Sequence, residues 1–329
     1  MKKIDFENHF YDISTIDGMA KREIFPKYDR ERDVIHWNSK VEMPQGILLK
    51  KLLDIGEGRL QLMDAYKIDT AIISTAQGVE DLAPVESIDL CRKTNDAVYA
   101  LTQEYPGRYL GSAILPVKDV KAAEAELERC IKELGFVCWH THSNYAGAAP
   151  FEDRFRPLFR KAAELGVFVY LHPGFPESES LHDFGFTFGG PAAGFTVDTM
   201  LSILKMIVSG LFDELPTLKV ILGHLGEAIP FLLDRIDNRM NFLPNPALKN
   251  QQKPSYYFHN NIMVSTSGNM SPAAFRCTQD VLGIQNIVFG SDYPFESLPD
   301  MVNFVDSLPI SDEERAMVYS GNAARLGIT

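Results

Sequence analysis

Val167-Phe168-Val169-Tyr170-Leu171, running into His172-Pro173 (VFVYLHP, 167–173), is the stretch that decides the fold. It is apolar throughout, with no polar alternate. That is the pattern of a parallel strand covered on both faces, not of an antiparallel strand with one wet side. Residues 151–165 before it have helical periodicity and stop at Gly166. A helix, a short buried strand and a polar residue at the strand's end make one repeat of an α/β protein.

Working outward, the same unit recurs. Strands are expected at 3–6, 70–74, 109–113, 136–139, 167–171, 218–222, 262–265 and 286–289. Helices are expected at 57–66, 86–104, 120–134, 151–165, 196–212, 227–240 and 272–282, with a helical tail at 299–306 and 312–326. Eightfold strand–helix alternation argues for a closed (β/α)8 barrel of the TIM type. An open doubly wound sheet is the alternative, but no Gly-rich phosphate turn follows an early strand. No linker or composition break interrupts residues 1–329, so one barrel domain is expected. Residues 10–55 and 174–195 read as irregular loops inserted at the active site.

Composition narrows the function. The net charge of -12 argues against nucleic acid and anionic membranes as partners. No stretch approaches the roughly 18 apolar residues of a membrane span, and charges interrupt the N-terminus where a signal peptide is apolar. Cys91, Cys130, Cys138 and Cys277 form no C-x-x-C pair and read as reduced thiols, as in a cytoplasmic protein.

In (β/α)8 enzymes chemistry gathers at the C-terminal ends of the strands. Here strand one ends in Glu7 and His9, which at i and i+2 face one way. Strand five ends in His172, strand six in His224 and strand eight in Asp292. A carboxylate and an imidazole on one face form half of a divalent-metal site. His140 and His142, at the end of strand four, are read as standing on opposite faces, so that at most one reaches the cavity.

Glu7-Asn8-His9-Phe10, YLHPGFP (170–176), SGLFDELPTLKVILGHLGEAIPFLLDRID (209–237), TSGN (266–269) and FGSDYPFE (289–296) together resemble the amidohydrolase superfamily. Within it they resemble the metal-dependent decarboxylases of γ-resorcylate, 2,3-dihydroxybenzoate, 5-carboxyvanillate and aminocarboxymuconate semialdehyde. The resemblance covers the first ten residues and nearly everything after about residue 52. Two features depart from the wider superfamily. Glu7 stands where His-x-His is usual, as in the phenolic-acid decarboxylases. Trp139-His140-Thr141-His142 is nearer the carboxyvanillate type than the resorcylate type.

The resemblance implies one divalent ion, Mn²⁺, Zn²⁺ or Mg²⁺, held by Glu7, His9, His172 and Asp292. It implies a substrate that is an aromatic acid with a hydroxyl ortho to its carboxylate. Direct loss of CO₂ would leave an aryl carbanion, so the ring carbon is protonated first. Asp292 is the expected proton donor, with His224 and Glu227 holding or relaying the proton. Arg235, His142 and Phe295 are the expected substrate contacts, Arg235 by a bidentate pair or else engaged with Asp234 or Asp237. A homo-oligomer, dimer or tetramer, is expected. The rival activity is a metal-dependent hydrolase that uses a metal-bound hydroxide.

Overall fold

The computed structural model describes residues 1–80, 82–240 and 242–328. Eight parallel strands follow in chain order: β1 (Ile4–Phe10), β2 (Thr70–Thr75), β3 (Tyr109–Ala113), β4 (Cys138–His142), β5 (Phe168–His172), β6 (Val220–Leu222), β7 (Ile262–Ser265) and β8 (Ile287–Val288). Each is followed by a helix on the outside: α1 (Glu57–Ala65), α2 (Pro84–Glu104), α3 (Val120–Lys132), α4 (Arg156–Leu165), α5 (Gly194–Val208), α6 (Ile229–Met240), α7 (Pro272–Leu282) and α8 (Leu298–Ser307). The two ends of the sheet meet. Phe6 N donates to Phe289 O at 2.9 Å, Asp292 N to Glu7 O at 2.9 Å, and His9 N to Tyr293 O at 2.6 Å. The (β/α)8 barrel expected from the alternation is the fold observed.

The barrel interior is layered. Ile4, Phe6, Ile72, Cys138, Phe168, Ile221, Met263 and Val288 form an apolar plug, sealed by Ala323, Leu326 and Ile328 near the C-terminus. Strand alternation then dictates what lies above it. Two residues on from Phe168 comes Tyr170, and then His172; two on from Cys138 come His140 and His142; two on from Met263 comes Ser265. Polar side chains thus replace apolar ones at the C-terminal end of the same inward face. β1 reaches this end by a different route. Ile4 and Phe6 are in the plug, so strict alternation would send Glu7 and His9 outward. The register against β2 shifts between Asp5 and Asn8, and the bulge turns Glu7 and His9 to the inside. Asp5, fully buried, accepts from Glu7 N (3.1 Å), Asn8 Nδ2 (2.9 Å), Ser291 N (2.8 Å) and Ser291 Oγ (2.5 Å). It fixes the bulge and ties β1 to the segment that carries Asp292.

The structure corrects several boundaries. β1 runs through Phe10, so Glu7 and His9 lie within the strand. β4 starts two residues later than expected and includes His140 and His142. Being i and i+2, these share a face, and their rings lie 5.2 Å apart. Residues 10–55 are ordered rather than irregular: a helix (Ile13–Ala20), a three-stranded antiparallel sheet (Lys27–Asp29, Val34–His36, Glu42–Pro44) and a second helix (Ile47–Leu53). Their short runs bury a core of their own around Tyr11, Ile16, Met19, Ile35 and Leu52. The 174–195 loop contains single helical turns, and Pro254–Asn260 is helical where no element was expected. Glu227 precedes α6 instead of opening it.

Candidate active site

Glu7, His9, His172 and Asp292 come together at the C-terminal end of the barrel. Each offers one donor atom, and all four atoms lie within 4.8 Å of one another. His9 Nε2 is 3.6 Å from Glu7 Oε1 and 3.2 Å from Asp292 Oδ1; His172 Nε2 is 3.4 Å from Glu7 Oε1. Donors about 2.0–2.3 Å from a shared ion stand roughly 3 Å or slightly more from one another, so these spacings fit one divalent cation. Glu7 Oε1, His9 Nε2 and Asp292 Oδ1 are buried with no hydrogen-bond partner among the described residues. A buried, unsatisfied polar atom costs about 1–3 kcal/mol. Three of them aimed at one point are what a metal ion would satisfy.

The remaining atoms of these side chains are occupied, which sets their orientation. Tyr170 OH donates to Glu7 Oε2, and Ser265 Oγ donates to the same oxygen at 3.1 Å, leaving Oε1 alone toward the centre. His172 Nδ1 lies 2.9 Å from Pro173 O, which fixes its proton there and presents Nε2 as the free lone pair. His9 Nδ1 lies 3.3 Å from Ser74 Oγ. Burial disfavours the His9 imidazolium, but Asp292 and Glu7 beside it prevail and hold its pKa up to about 9. His172 is the reverse: burial and then the neighbouring His9 and His142 push it well below the ordinary value, so it is neutral.

Behind Asp292 stands His224. Its Nε2 is 3.8 Å from Asp292 Oδ2, and its Nδ1 is 2.8 Å from Glu227 Oε1. This i,i+3 contact is made by a tight left-handed turn and not by a helix. His224, Leu225, Gly226 and Glu227 all have positive φ (55°, 56°, 80° and 57°), as does Asp292 (58°). Such backbone is costly for residues other than glycine and concentrates at functional sites. Gly268, at φ +62°, passes so close that a Cβ there would stand 2.5 Å from His224 Cδ2. Burial works against the charged form of His224, yet Glu227 and Asp292 hold its pKa well above the ordinary value. Burial alone would raise Asp292; His224 and His9 hold it well below the usual carboxylate range. The resting pair is therefore His224 imidazolium and Asp292 carboxylate.

A cavity of about 720 Å³ opens over this centre, reaching His172, His224, Glu227 and Asp292. Its aromatic walls include Trp37 from the insertion and Phe186 and Phe195 from the segment after β5. Phe175 stacks between two of them, 5.9 Å from Trp37 and 6.2 Å from Phe186, and so joins the two insertions. Phe295 lines the cavity with its ring 5.3 Å from that of His9. His142 lies below the lining, its ring 5.5 Å from that of His172. Arg235 is exposed on α6 and is not among the residues lining the cavity.

Three supports went unread in the sequence. Tyr170 stands two residues before His172, so period-two alternation alone could have placed it beside Glu7. Glu80 accepts from His142 Nδ1 (2.7 Å), His142 N (3.1 Å) and Thr141 Oγ1 (3.0 Å), and no local signal links residue 80 to residue 142. Arg59, 1% exposed, donates to Asn8 Oδ1 (2.8 Å) and His9 O (2.6 Å) from a helix that its spacing marks only as amphipathic.

Comparison with known proteins agrees with this geometry. The family model described as amidohydrolase matches residues 4–326. The γ-resorcylate decarboxylase of Rhodococcus jostii is 36% identical over 293 residues, 85% of this chain and 89% of that protein. The crystal structure of a dihydroxybenzoic acid decarboxylase from Polaromonas sp., with bound manganese and the inhibitor 2-nitroresorcinol, is 30% identical with a TM-score of 0.86, covering 99% of this chain and 96% of that one. That of 5-carboxyvanillate decarboxylase from Sphingomonas paucimobilis is 30% identical with a TM-score of 0.88, covering 100% and 99%. With a family model spanning almost the whole barrel and the ligand set at its rim, the chain belongs to the amidohydrolase family.

Proposed function

We propose that this protein is a metal-dependent, non-oxidative decarboxylase of an ortho-hydroxylated aromatic carboxylic acid. The observation that carries the reading is the His224–Glu227 pair poised behind Asp292, at the edge of a four-donor metal centre, under an aromatic-walled cavity. Glu7, His9, His172 and Asp292 would hold a divalent ion (manganese, zinc or magnesium), which when bound would supply Lewis acidity toward the substrate.

The chain's own residues supply the proton. His224 carries it at rest, stabilised by Glu227, and Asp292 stands between His224 and the ligand centre. His224 passes that proton to Asp292, and Asp292, now a carboxylic acid, delivers it to the ring carbon bearing the carboxylate and is left as the carboxylate beside a neutral His224. The C–C bond then breaks, CO₂ leaves, and its bonding pair restores the aromatic ring. Water returns the proton to the His224–Asp292 pair. Phe295 would pack on the ring, and His142, held by Glu80, would back His172. Arg235 is given no substrate contact within its own chain. It shares a face of α6 with Phe231, 82% exposed, and in a homo-oligomer, dimer or tetramer, this face would be free to meet a second copy. Among the described residues no single helix is long and apolar enough to cross a membrane. The acidic net charge favours a protein without nucleic-acid or anionic-membrane partners, the four free cysteines favour the cytoplasm, and the single strand–helix alternation favours one barrel domain over 1–329.

The test is isotopic. Turnover of ortho-hydroxybenzoates in D₂O should give a product deuterated where the carboxylate left, with release of CO₂. Oxygen from ¹⁸O-labelled water in the organic product, without ring deuteration, would replace this reading with the hydrolase.

A further inference from the structure

The cavity is roofed from two sides. Trp37, Met43 and Leu48 come from the insertion after β1, and Phe186 and Phe195 from the segment after β5. Phe175 stacks between Trp37 and Phe186, and His182 stacks on Phe175 with ring centres 5.0 Å apart. His182 also ties the two sides by hydrogen bonds. Its Nδ1 lies 3.3 Å from Asn38 Nδ2 in the insertion, and its Nε2 lies 2.7 Å from Pro176 O in its own segment. The roles of these atoms are fixed. A carbonyl only accepts, so Nε2 carries a proton and donates to Pro176 O. Asn38 Oδ1 accepts from Lys40 N (2.8 Å) and Val41 N (2.9 Å), so the amide cannot turn over without stranding both, and Nδ2 faces the ring. Nδ1 is therefore a bare lone pair. The closed roof accepts His182 only in its neutral form.

We propose that His182 is a pH latch on this roof: neutral, it holds the insertion against the segment after β5, and protonated it lets the two part and opens the cavity. A proton on Nδ1 sets N–H against N–H. The residue is only 8% exposed, so water cannot readily replace the lost partner. Stacking on Phe175 favours a cation, but an unmade hydrogen bond to a buried charge outweighs it. Both partners of the ring, the Asn38 amide and the Pro176 carbonyl, are neutral. The charged side chains nearest in the chain are Glu177, Glu179 and Asp183 on its own segment and Lys40 beside Asn38, all exposed; Glu42 in the insertion is engaged by Arg32 at 2.9 Å. Opening gives water and substrate access to the centre below, and the latch does not depend on which reaction takes place there.

The experiment is hydrogen exchange read by mass spectrometry on the manganese-saturated protein, at about pH 8 and about pH 5.5, across the range in which histidine side chains change charge. Corrected for intrinsic rates, exchange reports the opening equilibrium. Protection of peptides covering 36–41 and 179–185 should fall about 10–100-fold at the lower pH, the worth of a hydrogen bond to a charged group, with the β5 peptide 167–171 unchanged. His182→Gln keeps a donor and an acceptor but does not titrate, so its roof should stay protected at both pH values. Asn38→Asp still accepts from Lys40 N and Val41 N and turns a carboxylate oxygen to Nδ1, so it holds the imidazolium and the fall should vanish or reverse. Loss of metal at low pH would act on all three proteins alike. Protection independent of pH in the unmodified protein, or a fall of equal size in either variant, would overturn the proposal.

Discussion

Metal binding should expel one proton, and His9 should be its source. In the metal-free protein His9 Nε2 lies 3.2 Å from Asp292 and 3.6 Å from Glu7, and its pKa is held up to about 9. His172 is neutral, so it has no proton to give. Below the His9 pKa the ion competes with that proton, and apparent affinity falls about tenfold for each pH unit. Going from about pH 8 to about pH 6 should therefore weaken Mn²⁺ binding by about 100-fold, or about 2.7 kcal/mol. The same proton stabilises the fold. A raised folded pKa means that the contribution is complete below the unfolded value near 6.5 and is lost as pH climbs through about 9. It amounts to on the order of 3 kcal/mol in the metal-free protein. Calorimetric Mn²⁺ titrations in two buffers of different ionisation enthalpy count the protons directly. A flat affinity between those pH values, or release of two protons per ion, would refute the assignment to His9.

Replacing His224 by Asn should lower kcat by roughly 10²–10⁴-fold, the usual worth of one acid–base group, while Mn²⁺ stoichiometry by elemental analysis stays unchanged. Loss of the metal in that variant would make His224 part of the ion's support. Replacing Tyr170 by Phe removes one of the two hydroxyls that donate to Glu7 Oε2. Losing a hydrogen bond that orients a metal-ligating side chain typically costs about 10–100-fold in metal affinity, so the Mn²⁺ Kd should rise by that order; an unchanged Kd would remove the phenol from the site's support.

Much of this protein is written locally. The apolar run 167–171 between Gly166 and Pro173 specified a buried parallel strand, and seven repeats of the pattern specified a barrel. Once there is a barrel, residues at strand ends share one rim, so Glu7, His9, His172, His224 and Asp292 could be named without coordinates. Strand and helix periods are nearest-neighbour properties of a chain, and so they are legible in it. Other features are not. Alternation in β1 would have pointed Glu7 away from the plug residue Phe6 and out of the barrel. Only the bulge, clamped by Asp5 to Ser291 nearly three hundred residues away, turns it inward. The turn that brings Glu227 to His224 depends on positive φ and on Gly268 in another strand's loop leaving room for the ring. The pairing of Glu80 with His142, and the single guanidinium of Arg59 that joins Lys51 to His9, are contacts between segments with no shared period. Sequence determined which residues reach the rim. Tertiary structure decided which of their atoms are satisfied, and the atoms left unsatisfied at the centre of the barrel mouth mark the site, because burial makes an unpaired donor or acceptor costly and leaves it open to a ligand.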